Sequence, residues 1–220
     1  MRHNRIYRAG TFFLSAFLYV TAAMTPITAL AAPADLNEAA AQQEERLTLP
    51  IQSNEIENWP EGPAVGAEGA IVLEANTGVV LYAKNIHEKL YPASTTKLLT
   101  CLIAARECSM DEIVTFSHDA VFGIQQGSSN IGIDEGQAMT MEECLYGILV
   151  ASANEVAAAV AEHVAGSQEA FADMMNETAR ELGCQDSHFV NPHGLFDENH
   201  YTSAYDLAII AKAFFQNELL

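Results

Sequence analysis

From Lys97 to Ala105 the chain reads Lys-Leu-Leu-Thr-Cys-Leu-Ile-Ala-Ala, a run of helical length that is apolar on every side once the lysine is passed. An amphipathic helix rests one face on a core, whereas a helix without a polar face has to be enclosed. The rest of the fold must therefore surround this segment. Lys97 is carried into the same core, an unusual place for a lysine.

Apolar surface to enclose it is available further along the chain. Thr140-Met141-Glu142-Glu143 has the form of a capping box and predicts a helix running to about Val150. Ala151-Ser152-Ala153 interrupts that helix, and a second, rich in Ala and Val, is predicted from Asn154 to about Ala165. A third follows Ser167, with Phe171, Met174, Met175, Thr178 and Leu182 at three- and four-residue spacing. After a loop rich in Asn, His, Pro and Gly from His188 to Ser203, Thr202 or Ser203 caps a last helix, Ala204 to about Phe215. The middle of the chain is thus a helical cluster. Ahead of it, Ala70-Ile71-Val72-Leu73-Glu74 and Val79-Val80-Leu81-Tyr82-Ala83 flank Ala75-Asn76-Thr77-Gly78, the pattern of a β-hairpin whose glycine supplies a positive φ. An isolated hairpin is marginal in water, so this one needs packing or further strands.

The amino terminus is a different kind of segment. Arg2, Arg5 and Arg8 precede an apolar run from Thr11 through Met24, and Ala29-Leu30-Ala31 has the small-x-small form of a cleavage site. Residues 1–31 therefore read as a secretory signal, and the body of the protein is expected outside the cytoplasm, in the cell envelope or secreted. The apolar run is shorter than the ~20 residues a membrane span needs. The whole chain carries 10 Lys+Arg against 29 Asp+Glu, a net −19; without the signal seven basic residues remain and the net charge is −22. A surface this acidic does not neutralise phosphates, which argues against nucleic acid as a partner. Residues 32–67 are Ala, Glu, Gln and Pro with Trp59 as the one tryptophan, an acidic leader expected to be solvated and disordered apart from a loose helix around Leu36 to Leu47. The folded part is expected from Glu68. Of four cysteines, Cys101 and Cys108 lie ~10 Å apart along one helix and are too far apart to pair; Cys144 with Cys184 stays open, and all four read as small buried hydrophobes.

Chemistry concentrates at Ser94-Thr95-Thr96-Lys97. A spacing of three at a helix start puts both side chains on one face, and the helix amino terminus favours negative charge developing on the serine oxygen. Burial disfavours a charged lysine, so Lys97 can take the serine proton without a histidine. Taken alone, Ser94 also reads as an ordinary helix cap, and Ser152 with Asn154 as a helix–helix turn. His188, His193 and His200 share one polar loop, but three histidines without a Cys or carboxylate at a recognised spacing make a weak metal signature, and no metal or cofactor is expected.

Together the hairpin, the proline before Ser94, the enclosed helix and the Ser-x-Asn break 58 residues later form one constellation. The stretches YPASTTKLLT, VASANEVAAAVAEHVAGS and FVNPHGLFDENHYTSAYDLAIIAKA resemble the serine DD-peptidases that bind penicillin, specifically the low-molecular-mass D-alanyl-D-alanine carboxypeptidases of peptidase family S11. The resemblance covers residues 68–220. It implies an α/β (α+β) domain of the β-lactamase/DD-peptidase type, with an antiparallel sheet, flanking helices and a helical subdomain. It implies Ser94 as the nucleophile that forms an acyl-enzyme, Lys97 as its activator, Ser152 as a proton relay to the leaving amine, and Asn154 as a ligand of the substrate amide and of the lysine. The Ser94 N–H would supply half of an oxyanion hole. The implied partners are peptidoglycan stem peptides ending in D-Ala-D-Ala, and β-lactam antibiotics.

One part of that pattern is missing. The family has a Lys-Thr-Gly on a strand across the cleft, and no lysine here is followed by Thr-Gly, while Asn76-Thr77-Gly78 lacks the cation. Residues 68–220 are therefore expected to be the front portion of a catalytic domain whose last strands are missing, poorly folded and nearly inactive alone, with membrane association left to a tail that is also missing. The alternatives are a serine β-lactamase of the same fold, which the Ser-Ala-Asn sequence and the Asn191 to Leu195 loop disfavour, and a non-catalytic fragment that binds penicillin or peptidoglycan.

Overall fold

The computed structural model describes residues 33–220, with side chains from Glu38 onward; the expected signal, residues 1–31, lies outside the described residues. Ala40 to Leu220 form one compact unit, and residues 33–39 contribute the first turns of helix α1 (Pro33–Thr48).

At the centre stands α2 (Lys97–Glu107), where Leu99, Cys101, Leu102 and Ala104 have no exposed surface. It packs against α4 (Met141–Ala151), α5 (Asn154–Ala165), α6 (Gln168–Leu182) and α7 (Ala204–Phe215). Small residues allow the close approach: Val156 through Ala161 of α5 are all buried, four of the six being alanine. Enclosure of each large apolar side chain of α2 is worth about 1.5–3 kcal/mol. The expected all-round burial of this segment is what the helices around it produce.

Local signals start these helices where the sequence places them. The Thr140 hydroxyl accepts from Glu143 N at 3.2 Å while the Glu143 carboxylate accepts from Thr140 N at 2.9 Å, the reciprocal capping box. Ser167 caps α6 through Ala170 N, and Ser203 caps α7 through Asp206 N. Between α4 and α5 the chain turns sharply, because Ser152 takes the left-handed conformation (φ 56°, ψ 33°).

Strands β1 (Ala70–Leu73) and β2 (Val80–Lys84) form the expected antiparallel hairpin, Ala70 opposite Lys84, with β1 against α7. Gly78 has φ +75°, and the Glu74 carboxylate closes the turn by accepting from Asn76 N and from Thr77 N and Oγ1. A second two-stranded sheet joins β3 (Ile113–Thr115) to β4 (Ala138–Thr140), with the short helix α3 (His118–Phe122) between them in sequence. The described residues thus form an α+β domain with two small antiparallel sheets beside a helical cluster.

The leader differs from its expectation. Residues 50–67 do not float free but are fastened to the hairpin: Trp59 Nε1 donates to Leu81 O at 2.9 Å, and Tyr82 OH donates to Pro63 O at 3.0 Å. Lys84, with no exposed surface, donates to Arg46 O at 2.5 Å and Val65 O at 2.6 Å. Carbonyls of the leader are the acceptors that make burial of this ammonium tolerable. All four cysteines are free; Cys101 and Cys144 are buried, Cys108 and Cys184 partly so. No helix among the described residues is long and apolar enough to cross a membrane.

Candidate active site

The segment before α2 is a tight 3-10 turn, Ala93–Thr96, entered through Pro92. Ala93 has φ +48°, a conformation that costs an L-residue roughly 1–2 kcal/mol. The turn lifts Ser94 to the surface while Lys97, one turn on, is only 3% exposed.

Lys97 Nζ lies 3.3 Å from Ser94 Oγ, and donates to Asn154 Oδ1 at 2.7 Å and to the His193 carbonyl at 2.7 Å. Burial pulls its pKa down to about 8, with the nearby Glu155 carboxylate acting in the opposite sense. Ser152 Oγ donates to Ser94 Oγ at 2.9 Å. The left-handed turn at Ser152 and the start of α5 at Asn154 bring both side chains to Lys97 and Ser94, 58 residues away from Ser94 in one case and 57 from Lys97 in the other. All four residues singled out in the sequence meet in one cluster. The arrangement can pass a proton from Ser94 to a lysine that is neutral in part near neutral pH, with a second hydroxyl within reach of the same oxygen.

Behind this cluster the loop from Asn191 to Leu195 is laced to the start of α2. Thr100 Oγ1 donates to Pro192 O at 2.6 Å, and Thr96 Oγ1 pairs with His200 Nε2 at 2.8 Å. His200 Nδ1 accepts from Val190 N, so its Nε2 carries the proton given to Thr96. Burial pulls both His193 and His200 down to about 4, leaving them neutral. His188 Nδ1 meets the Asn199 carbonyl and His193 Nδ1 accepts from Leu195 N, so each of the three rings has its own hydrogen-bond partner. Gly194 (φ +83°) rests directly on the active turn; a Cβ there would sit 1.9 Å from Ala93 O. Only glycine lets the loop carry the His193 carbonyl to the lysine.

The sequence reading did not find the His193 carbonyl, the Thr96–His200 pair or the role of Asp206. Asp206, fully buried at the start of α7, accepts from Gln185 N, Asp186 N and Ser187 Oγ and so anchors the beginning of the loop. Its place three residues after the capping Ser203 was the available signal.

In front of Ser94 opens a cleft of about 380 Å³, bounded by Tyr91 and Phe196 on one side and Gly127 to Ser129 on the other. Tyr91 and Phe196 meet edge to face, 5.0 Å between ring centroids, and both are exposed. Asn154 N donates to Ser129 O, and the buried Glu155 carboxylate accepts from Ile131 N at 2.6 Å, so the start of α5 holds the facing loop.

A family profile described as Peptidase S11, D-alanyl-D-alanine carboxypeptidase, matches residues 56–220. The chain is similar to D-alanyl-D-alanine carboxypeptidase DacF of Bacillus subtilis, 42% identical over 158 residues that make up 69% of this chain and 40% of that protein. It is 36% identical to DacD of Salmonella typhimurium over 170 residues, 72% of this chain and 43% of that one. Among solved structures it resembles penicillin binding protein 6B from Escherichia coli, with a TM-score of 0.70 and 34% identity over 74% of this chain and 54% of that one. The corresponding values for penicillin binding protein 5 from Haemophilus influenzae are 0.69, 29%, 72% and 48%. The chain spans about two fifths of the length of the curated relatives it matches.

Proposed function

Because the chain belongs to the D-alanyl-D-alanine carboxypeptidase family, matched over residues 56–220, we propose that its protein is a serine carboxypeptidase that removes the terminal D-alanine of peptidoglycan stem peptides. The observation that carries this reading is the contact of Lys97 Nζ with Ser94 Oγ, Asn154 Oδ1 and the His193 carbonyl in one buried pocket. Lys97, with its proton affinity lowered by burial, takes the proton of Ser94 as the serine oxygen attacks the carbonyl between the two D-alanines. The Ser94 N–H, at a helix start where backbone donors lack helical partners, faces the developing oxyanion. Ser152 passes the proton to the departing amine, D-alanine leaves, and water hydrolyses the ester on Ser94 with the same groups used in reverse. Asn154 orients both the lysine and the substrate amide. No cofactor takes part, and the reaction takes place outside the cytoplasm, where the substrate is.

β-Lactams are attacked by the same serine. Fluorescent penicillin therefore acylates Ser94, and the label disappears in Ser94→Ala. The 220 residues contain no Lys-Thr-Gly. The resemblance puts the second oxyanion donor just after that motif, and loss of one donor costs about 3–4 kcal/mol, so labelling of the 220-residue chain alone is expected to be about 10²–10³-fold slower than in a protein that carries the motif. Absence of any Ser94-dependent label at saturating penicillin would overturn the assignment. Release of D-alanine from a pentapeptide by the protein separates a carboxypeptidase from a β-lactamase and from a module that only binds.

A further inference from the structure

A second group of reactive side chains lies away from the cleft. Cys108 is the C-cap residue of α2, Glu112 immediately precedes β3, and His163 is in the last turn of α5. One donor atom from each lies within 4.8 Å of the other two. Glu112 is already oriented: its Oε1 accepts from Ser109 N at 2.7 Å, and its Oε2 faces His163 Nε2 at 3.0 Å. The backbone around them is pinned as well, since Met141 N donates to Glu112 O and Glu142 N to Met110 O. Three chain segments thus bring sulfur, imidazole nitrogen and carboxylate oxygen to one point.

We propose that Cys108, Glu112 and His163 bind one Zn²⁺ ion, with water as the fourth ligand. Zinc bonds to these three donor types are about 2.0–2.3 Å long, which puts donor atoms about 3.3–3.7 Å apart around a tetrahedron. The present separations, 3.0 Å between Glu112 Oε2 and His163 Nε2 and no more than 4.8 Å among the three donor atoms, bracket that spacing. A mixed sulfur, nitrogen and oxygen set suits Zn²⁺; Mg²⁺ and Ca²⁺ take oxygen. Charge favours a cation here: Glu107 and Glu112 both act on Cys108, and among the described residues no Lys or Arg pairs with Glu112. On binding, the Cys108 S–H bond breaks, the Sγ–Zn bond forms and the proton goes to solvent. His163 shifts from the Nε2–H form that faces Glu112 to the tautomer with its proton on Nδ1, and binds as neutral imidazole through Nε2. Glu112 binds through Oε2 and keeps the Ser109 bond on Oε1.

Such an ion ties the end of α2 to the end of α5, the two helices whose first residues are Lys97 and Asn154. It lies about 16 Å from Lys97 along α2, at ~1.5 Å per residue, and acts as a brace with no part in the reaction.

The test is titration of the intact, reduced, metal-free chain with Co²⁺, followed by displacement with Zn²⁺. The expected result is one equivalent of tetrahedral Co²⁺ with a thiolate charge-transfer band, and a higher unfolding temperature with Zn²⁺. Cys108→Ser removes the band and weakens binding at least 100-fold; His163→Gln, a change at the surface, weakens it at least tenfold with unaltered circular dichroism. No charge-transfer band at saturating Co²⁺ in the folded chain overturns the site, as does a band that persists in Cys108→Ser or binding that is indifferent to His163→Gln.

Discussion

Lys84 and Lys97 are both removed from water, 0% and 3% exposed, and both donate to backbone carbonyls, Lys84 to two and Lys97 to one. Their surroundings differ in one respect that decides what each can do. Around Lys84, at the junction of hairpin and leader, the acceptors are the carbonyls of Arg46 and Val65. Around Lys97, at the junction of α2 and α5, one contact is a serine hydroxyl at the mouth of a cleft. A buried lysine that meets only carbonyls is a staple; one that meets a hydroxyl has somewhere to take a proton from.

Substitution should separate the two most sharply. Lys97→Met is expected to slow acylation of Ser94 by about 10³-fold, within the range for loss of a general base, while Lys84→Met leaves the rate per folded molecule unchanged. Stopped-flow labelling with fluorescent penicillin reads both. Next in size is stability. Lys84→Met takes the charged donor from the half-buried carbonyls of Arg46 and Val65 and is expected to cost about 1–3 kcal/mol in urea unfolding, with residues 50–67 becoming accessible to protease.

Lys97 carries a pH signature in stability as well. Its folded pKa of about 8 lies below the ordinary 10.5, so between those values the unfolded chain holds the extra proton and stability rises with pH. Below about 8 the cost of burying the charge is fully present. Lys97→Met is expected to lose that rising contribution, so that the slope of unfolding free energy across the window becomes less positive than in the parent chain, with the falling contribution of the four cysteines, whose thiols burial pushes up, left in place.

Smaller effects follow at the neighbours. Ser152→Ala removes the hydroxyl 2.9 Å from Ser94 and is expected to slow acylation about 10- to 100-fold without changing unfolding by more than ~1 kcal/mol. Glu155→Gln keeps an oxygen for Ile131 N but removes a charge that favours protonated Lys97, so the pH midpoint of acylation moves below its wild-type value. A midpoint that moves upward would show that Glu155 does not act on Lys97 through its charge.

Legibility in the sequence followed the range of the forces involved. The capping box at Thr140, the caps at Ser167 and Ser203 and the turn at Gly78 are each settled within a few residues, and the helices and hairpin begin where those signals stand. The four residues around Ser94 were legible through motifs held at recognisable spacing. β3 and β4 were not, since three residues each show no alternation and their pairing spans the whole of the loop between them. The leader was misread because composition reports what a segment can bury by itself. Trp59, Pro63 and Val65 are held by Leu81, Tyr82 and Lys84 of the hairpin, contacts invisible in a run of Ala, Glu and Gln. The Thr96–His200 bond joins residues 104 apart and left no local trace.

The central claim is that a lysine with lowered proton affinity, with no histidine, activates Ser94, and the pH dependence of Ser94 acylation by fluorescent penicillin tests it most directly. The account predicts a rate that rises with pH through a midpoint near 8, as Lys97 loses its proton, with the rise abolished in Lys97→Met. A midpoint near 6.5, the ordinary value for histidine, that survives Lys97→Met would contradict it.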